Sequence, residues 1–158
     1  MRGENRFKPL HSMRPSSAAS IGMRHPIPDT FLAKAYADLS QFDEASRYIA
    51  EAMTPVDTAK ERWWEADIYR MAGEIALMSS EPDAARAEAY FEGALAVARQ
   101  QQAKSWELRA AMSMARLWRD QGKPQQGREL LAPVYGWFTE GFDTLDLREA
   151  KALLETLS

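Results

Sequence analysis

The sequence predicts an all-helical protein of three helical hairpins followed by a capping helix. Three observations carry this. Apolar residues recur with a 3.6-residue period from Asp29 to the C-terminus, the signature of amphipathic helix. Ala, Leu, Glu, Arg and Gln abound while Val, Ile and Thr are sparse, so no segment shows sustained strand alternation. And the helices repeat in pairs about 40 residues apart, too regularly to be independent elements. The whole chain has 158 residues, 46% apolar and 27% charged, enough to bury one core or a short run of repeats.

Residues 1–28 stand apart. Arg2, Arg6, Lys8, Arg14 and Arg24 face a single acid, Glu4, and four prolines and a Ser16–Ser20 run interrupt any helical pattern. Proline removes a backbone donor and disfavours helix at the preceding residue, so this segment reads as an irregular or disordered basic tail. Its Arg- and Ser-rich composition mimics an organellar transit peptide, but a mobile tail, or a start site inside a longer reading frame, is the preferred reading. The remainder, residues 29–158, reads as one helical-repeat domain carrying fifteen basic and twenty-two acidic residues.

The first hairpin is expected over about 29–55. Leu32, Ala35, Tyr36 and Leu39 form one stripe, Ala45, Tyr48, Ile49 and Ala52 another, with the break at Ser40–Asp43 and Pro55 beyond. The second covers about 61–102, broken at Ser79–Pro82. The third covers about 105–138, its first helix stopped by Gly122 and Pro124. The capping helix, 144–157, carries Leu147, Ala150, Leu154 and Leu157 on its inner stripe and Arg148, Glu149, Lys151 and Glu155 on a polar outer face. Asp146 and Glu149 resemble a capping-box pair near its start.

The internal repeat is specific in its residue types. The second helix of each pair carries a small residue, a large apolar residue four positions on, and a small or apolar residue three after that: Ala45, Ile49, Ala52; Ala87, Phe91, Ala94; Gly127, Leu131, Val134. The first helices align as Ala33 with Tyr36, Gly73 with Ala76 and Ala115 with Trp118. Glycine inside a helix costs about 1 kcal/mol relative to alanine, so Gly73 and Gly127 mark places where helices must approach closely. The two registers disagree by two residues, which a loop insertion near Pro82 accounts for.

This pattern resembles the tetratricopeptide repeat, with units longer than its usual 34 residues. The resemblance implies a right-handed α-α superhelix. Residues 103–157, from Ala103-Lys104-Ser105-Trp106 through Leu131-Ala132-Pro133-Val134-Tyr135-Gly136-Trp137 to the last leucines, are similar to the C-terminal repeat region of large bacterial signalling proteins. Those proteins place an adenylate/guanylate cyclase or winged-helix domain first and a P-loop ATPase in the middle. Glu61–Ala66 and Ala72-Gly73-Glu74 fit the preceding repeat of that family. The resemblance implies a cytoplasmic fragment or truncated product from which the catalytic domains are missing.

No chemistry replaces them. There is no cysteine, no phosphate-cradling glycine loop and no dinucleotide fingerprint, and the two histidines, His11 and His25, lie in the tail. The expectation is therefore a non-enzyme with no cofactor and no metal. The formal charge of −3 argues against nucleic acid, and no apolar run is long enough to span a membrane. A protein or peptide ligand remains, with an ATPase or cyclase domain as one such partner.

In tetratricopeptide arrays the first helices line the partner-binding face. That register implies Lys34 and Asp38 from the first hairpin, Asp67, Arg70 and Glu74 from the second, and Arg109, Met112, Arg116 and Arg119 from the third. Arginine forks suit carboxylates and phosphates; the alternative is a solvated face in which these arginines pair with Asp120 or Glu107. The residues of a chaperone-type carboxylate clamp are not in place. Trp118 and Trp137 are expected in the core, and one of Trp63 and Trp64 nearer the surface, where it could stack on a ligand. Two rival readings stay open: a fragment of a cyclase whose catalytic domain lies outside the chain, and a freestanding scaffold that self-associates through its incompletely covered N-terminal hairpin.

Overall fold

The computed structural model describes residues 26–53 and 64–158, the side chains of 26–30 excepted. The expectations for residues 1–25 and for Trp63 lie outside that range. Seven helices make up the described residues: α1 Pro26–Asp38, α2 Phe42–Ala52, α3 Glu65–Met78, α4 Ala84–Gln100, α5 Lys104–Asp120, α6 Pro124–Gly136 and α7 Leu145–Thr156. No strand occurs among them. The all-helical reading holds. The first helix, however, begins three residues inside the stretch expected to be irregular. Pro26 and Pro28 are tolerated there because first-turn N–H groups have no intrahelical partner in any case.

Each helix packs on the next, and α3 also packs on α1 and on α5, as α5 does on α7. The odd-numbered helices thus lie side by side, with α2, α4 and α6 behind them, their backbones not closely approaching one another. The repeated positions occupy equivalent places. Ala33, Gly73 and Ala115 are buried, and so are all nine residues of the second-helix triplets, Phe91 and Leu131 completely. Tyr36, Ala76 and Trp118 are each half-buried.

The glycines act as the sequence reading required. A β-carbon on Gly73 would sit 2.7 Å from Cδ1 and 2.9 Å from Cζ of Phe91, and one on Gly127 would sit 3.1 Å from the Ala115 carbonyl oxygen. The absent side chain of Gly73 makes room on α3 for the Phe91 ring of α4, and that of Gly127 lets α6 meet the backbone of α5.

Two hairpin turns close identically. The Gln41 N–H donates to the Tyr36 carbonyl at 2.8 Å, and the Lys123 N–H to the Trp118 carbonyl at 2.7 Å. Ser40 and Gly122 take positive φ, 60° and 76°, in the same place. This is the six-to-one bond that ends a helix on a left-handed residue. In the middle hairpin the Asp83 N–H reaches back to Ala76 at 3.1 Å, two residues further along the chain. Those two extra residues are the insertion inferred near Pro82. Asp83 then caps α4 by accepting from the Arg86 backbone N–H at 2.9 Å.

On α1 the buried residues are Ala33 and Ala37, while Leu32 and Leu39 are 43% and 68% exposed, in line with the incompletely covered first hairpin expected. Small residues one turn apart admit α2 closely, and the bulkier stripe is left outside. Three expectations need correction. Trp137 is 58% exposed rather than in the core. Helix α6 ends at Gly136; Trp137 follows as its C-cap residue, still with helical φ and ψ, and its indole packs edge-on against Phe138, at 5.2 Å between ring centres. On α7, Leu153 is buried and Leu154 only partly so. Finally, Asp146 and Glu149 do not form a capping box: Thr144 is the N-cap residue and no side chain caps α7.

The core is divided. One apolar cluster runs continuously from α3 and α4 through α5 and α6 to α7. A smaller one joins Ala33, Ala37, Ala45 and Ile49 to Ala72 and Ile75. A third joins Ala52 of α2 to Trp64 and Ile68. The N-terminal hairpin therefore rests on the rest of the molecule through two small apolar contacts with α3.

Candidate functional site

Helices α3, α5 and α7 present their polar stripes on a shared face. On α3, Asp67, Arg70 and Glu74 are spaced by three and four residues and so share one side of the helix. Arg70 Nε donates to Asp67 Oδ1 at 2.8 Å, and its Nη1 lies 3.7 Å from Glu74 Oε1. Glu74 also accepts from Ser113 Oγ of α5 at 2.7 Å, which satisfies a serine only 3% exposed. From α5, Arg109 Nε donates to Asp146 Oδ2 at 2.8 Å and Arg116 Nη2 to Glu149 Oε2 at 3.5 Å, both acids belonging to α7. The result is a ladder of alternating charge across three helices.

Five of the nine residues expected on the partner-binding face, Asp67, Arg70, Glu74, Arg109 and Arg116, belong to this ladder. Lys34 pairs with Asp38 on α1 at 3.4 Å, both exposed. Arg119 pairs with its neighbour Asp120 at 3.1 Å, as the solvated-face alternative held. Met112 is not on the face at all: it is 3% exposed, in the core. One turn along from Arg109, it is nevertheless rotated by about 60° around the helix axis, and it is Ser113, on the other side of the stripe, that joins the ladder. Asp146 and Glu149 were not foreseen from the sequence as the arginines' partners. Their spacing of three on α7, facing arginines seven apart on α5, was the available signal.

Glu107, the other carboxylate named for these arginines, does something different. Only 4% exposed, it accepts from Lys104 Nζ at 2.8 Å and from Arg99 Nε at 3.1 Å. Burial pushes its carboxyl upward, but the hydrogen bonds from Lys104 and Arg99 outweigh that and hold it below the ordinary carboxylate range. A depressed carboxyl stabilises the fold above the unfolded-state value and loses that contribution as acid protonates it. Glu107→Gln is therefore expected to be less stable than wild type above about pH 5, the difference shrinking as pH falls below the carboxylate range. Urea midpoints across that range check this, and a pH-independent difference would contradict it.

Beside this cluster the exposed Trp137 ring lies under Lys104 Nζ, 5.6 Å from the ring centre, next to Arg99 and Gln102. Trp64, by contrast, is 9% exposed. Among the described residues the exposed tryptophan is Trp137, at the end of α6; Trp63, the other member of the pair expected to approach the surface, lies outside them. Among the described residues no group of three or more His, Asp or Glu could hold a metal ion, and no helix is long and apolar enough to cross a membrane. Compared with known proteins, the chain matches no family model, no curated protein and no solved structure.

Proposed function

We propose that the chain is a tetratricopeptide-like array, a right-handed superhelix that binds a protein or peptide partner and carries no catalysis of its own, acting as a regulatory part of a bacterial signalling protein. One observation supports this above all: three successive hairpins bury the same small, large, small positions in the same register and set their first helices side by side. Such stacking makes an extended surface from local contacts. The ladder of Arg70, Glu74, Arg109 and Arg116 is the surface offered to a partner, which must itself bring both signs of charge to exchange with pairs already made. The Arg116–Glu149 pair is exposed, and such pairs are worth about 0–1 kcal/mol, so a partner can replace it at little loss; the part-buried Arg70–Asp67 and Arg109–Asp146 pairs frame the surface.

The test compares wild type with the Arg109→Glu, Arg116→Glu, Arg119→Glu triple variant in quantitative affinity purification from cells that make the chain, alongside assays of ATP hydrolysis and cyclic-nucleotide formation. The expected outcome is a partner retained by wild type and lost by the variant at equal helicity, with no turnover from either. A partner set unchanged by the triple substitution would remove this face from the proposal, and turnover surviving repurification would remove its non-catalytic part.

The self-associating scaffold is the second reading. Phe31, Leu32 and Leu39 on α1 are 70%, 43% and 68% exposed, an apolar edge of the kind that associates.

A further inference from the structure

Helices α2 and α4 both pack on α3, and their backbones do not approach each other closely. Between them lies a notch of about 110 Å³. Ile49 and Met53 of α2 form one wall, Ala72 and Ile75 of α3 the floor, and Arg86 and Tyr90 of α4 the other wall. It lies at the junction of the two larger apolar clusters, on the side formed by the even-numbered helices. An apolar cavity of about 150 Å³ accepts a benzene molecule, so this notch has room for one branched aliphatic group.

Its rim is cationic. Arg86 Nη2 donates to the Tyr90 hydroxyl at 3.3 Å, with the guanidinium carbon 5.6 Å from the ring centre. Among the described residues Arg47, Arg70, Arg99, Arg109, Arg116 and Arg119 all pair with carboxylates. Arg86 has no such pair: of the two acids nearest it in sequence, Glu88 accepts from Trp118 Nε1 at 3.0 Å and Asp83 accepts from the α4 backbone. A guanidinium held at the mouth of an apolar notch, with no carboxylate of the described residues in ion-pair contact and only the more distant Asp83 acting on it, is complementary to an anion carried next to an apolar group.

We propose that this notch seats a single aliphatic side chain of a protein partner, with an adjacent carboxylate on Arg86. The proposal rests on the reading of the chain as a partner-binding array and adds to it a second contact, with its own chemistry, on the side away from the charged ladder. The apolar anchor supplies burial and the carboxylate fixes its orientation, as in small-ligand sites generally.

The probe is N-acetyl-L-leucine, an isobutyl group beside a carboxylate, titrated into the ¹⁵N-labelled full chain and followed by amide chemical shifts. Saturable shifts are expected at Ile49, Ile75 and Tyr90, with a dissociation constant of about 1 mM. N-acetyl-L-leucinamide, which lacks the charge, should bind about fivefold more weakly. Arg86→Gln should reduce the acid's affinity to that of the amide. Ser46→Phe, at an exposed position on the notch wall, should abolish binding of both.

No saturable shift at these residues, shifts confined to another surface, or equal affinity for acid and amide would each overturn the proposal. A notch already filled by another part of this chain, or by a second copy, gives no ligand shifts and overturns it too. A silent notch in a protein whose partner is still lost on Arg109, Arg116 and Arg119 reversal removes the notch alone. A responsive notch in a protein whose partner set survives that reversal removes the ladder instead.

Discussion

Gly73→Ala is expected to destabilise the protein by about 1–3 kcal/mol, although alanine is the better helix former by about 1 kcal/mol. The added β-carbon would lie 2.7 Å from Cδ1 of Phe91, and that ring is fully buried among Ala87, Ala94 and their neighbours, with no solvent side to retreat to. Phe91→Ala alone is expected to lose more, about 3–5 kcal/mol, because it empties the centre of the main cluster. The two sites should be strongly coupled. In the double variant the new methyl enters space the ring has left, so the combined loss should fall well short of the sum of the single losses. Urea unfolding of the four proteins measures this directly. Additive losses would mean that Gly73 is not kept small by Phe91.

The repeat was legible because its physics is local. A small residue, a large one four later and another small one three after that describe a helix crossing whatever the rest of the chain does, and all three instances are buried. Even the two-residue mismatch between registers was informative, since the turn of the middle hairpin holds those two residues. On α1 the alanines face α2 and the leucines do not, because closeness of approach, rather than side-chain size, selects the inner face there. What misled at Trp137 was equating apolar with buried: it follows α6 directly with a still-helical backbone, and its ring packs on Phe138 at the surface.

The charged ladder was half legible. The arginines of α5 and the cluster on α3 follow from spacing within a helix, whereas Arg109 and Asp146 are 37 residues apart, and their meeting depends on how α7 is rotated. That rotation is set by Leu147, Ala150, Leu153 and Leu157 together. Reading Leu154 in place of Leu153 turned the helix enough to leave Glu149 facing water and to hide its contact with Arg116.

Removal of residues 142–158 is the second large perturbation. It strips from the main cluster three leucines, Leu147, Leu153 and Leu157, each 5% exposed or less, and the fully buried Ala150. Burial of a leucine is worth about 1.5–3 kcal/mol, so the loss approaches the whole stability of an ordinary domain, about 5–15 kcal/mol. The truncated chain is expected to lose its cooperative unfolding transition. Removal of residues 1–25, which precede α1, should change the transition little. In the full chain, hydrogen exchange should be graded: slow in α4 and α5, which share the main cluster, and fast in α1 and α2, which rest on α3 through two small clusters. If two chains meet through Phe31, Leu32 and Leu39, protection of α1 should rise with protein concentration as sedimentation shows a dimer forming. Equal protection of α1 and α5 in a chain that sediments as a monomer would refute the weakness assigned to the first hairpin, and a truncated chain that still unfolds cooperatively would refute the role assigned to α7.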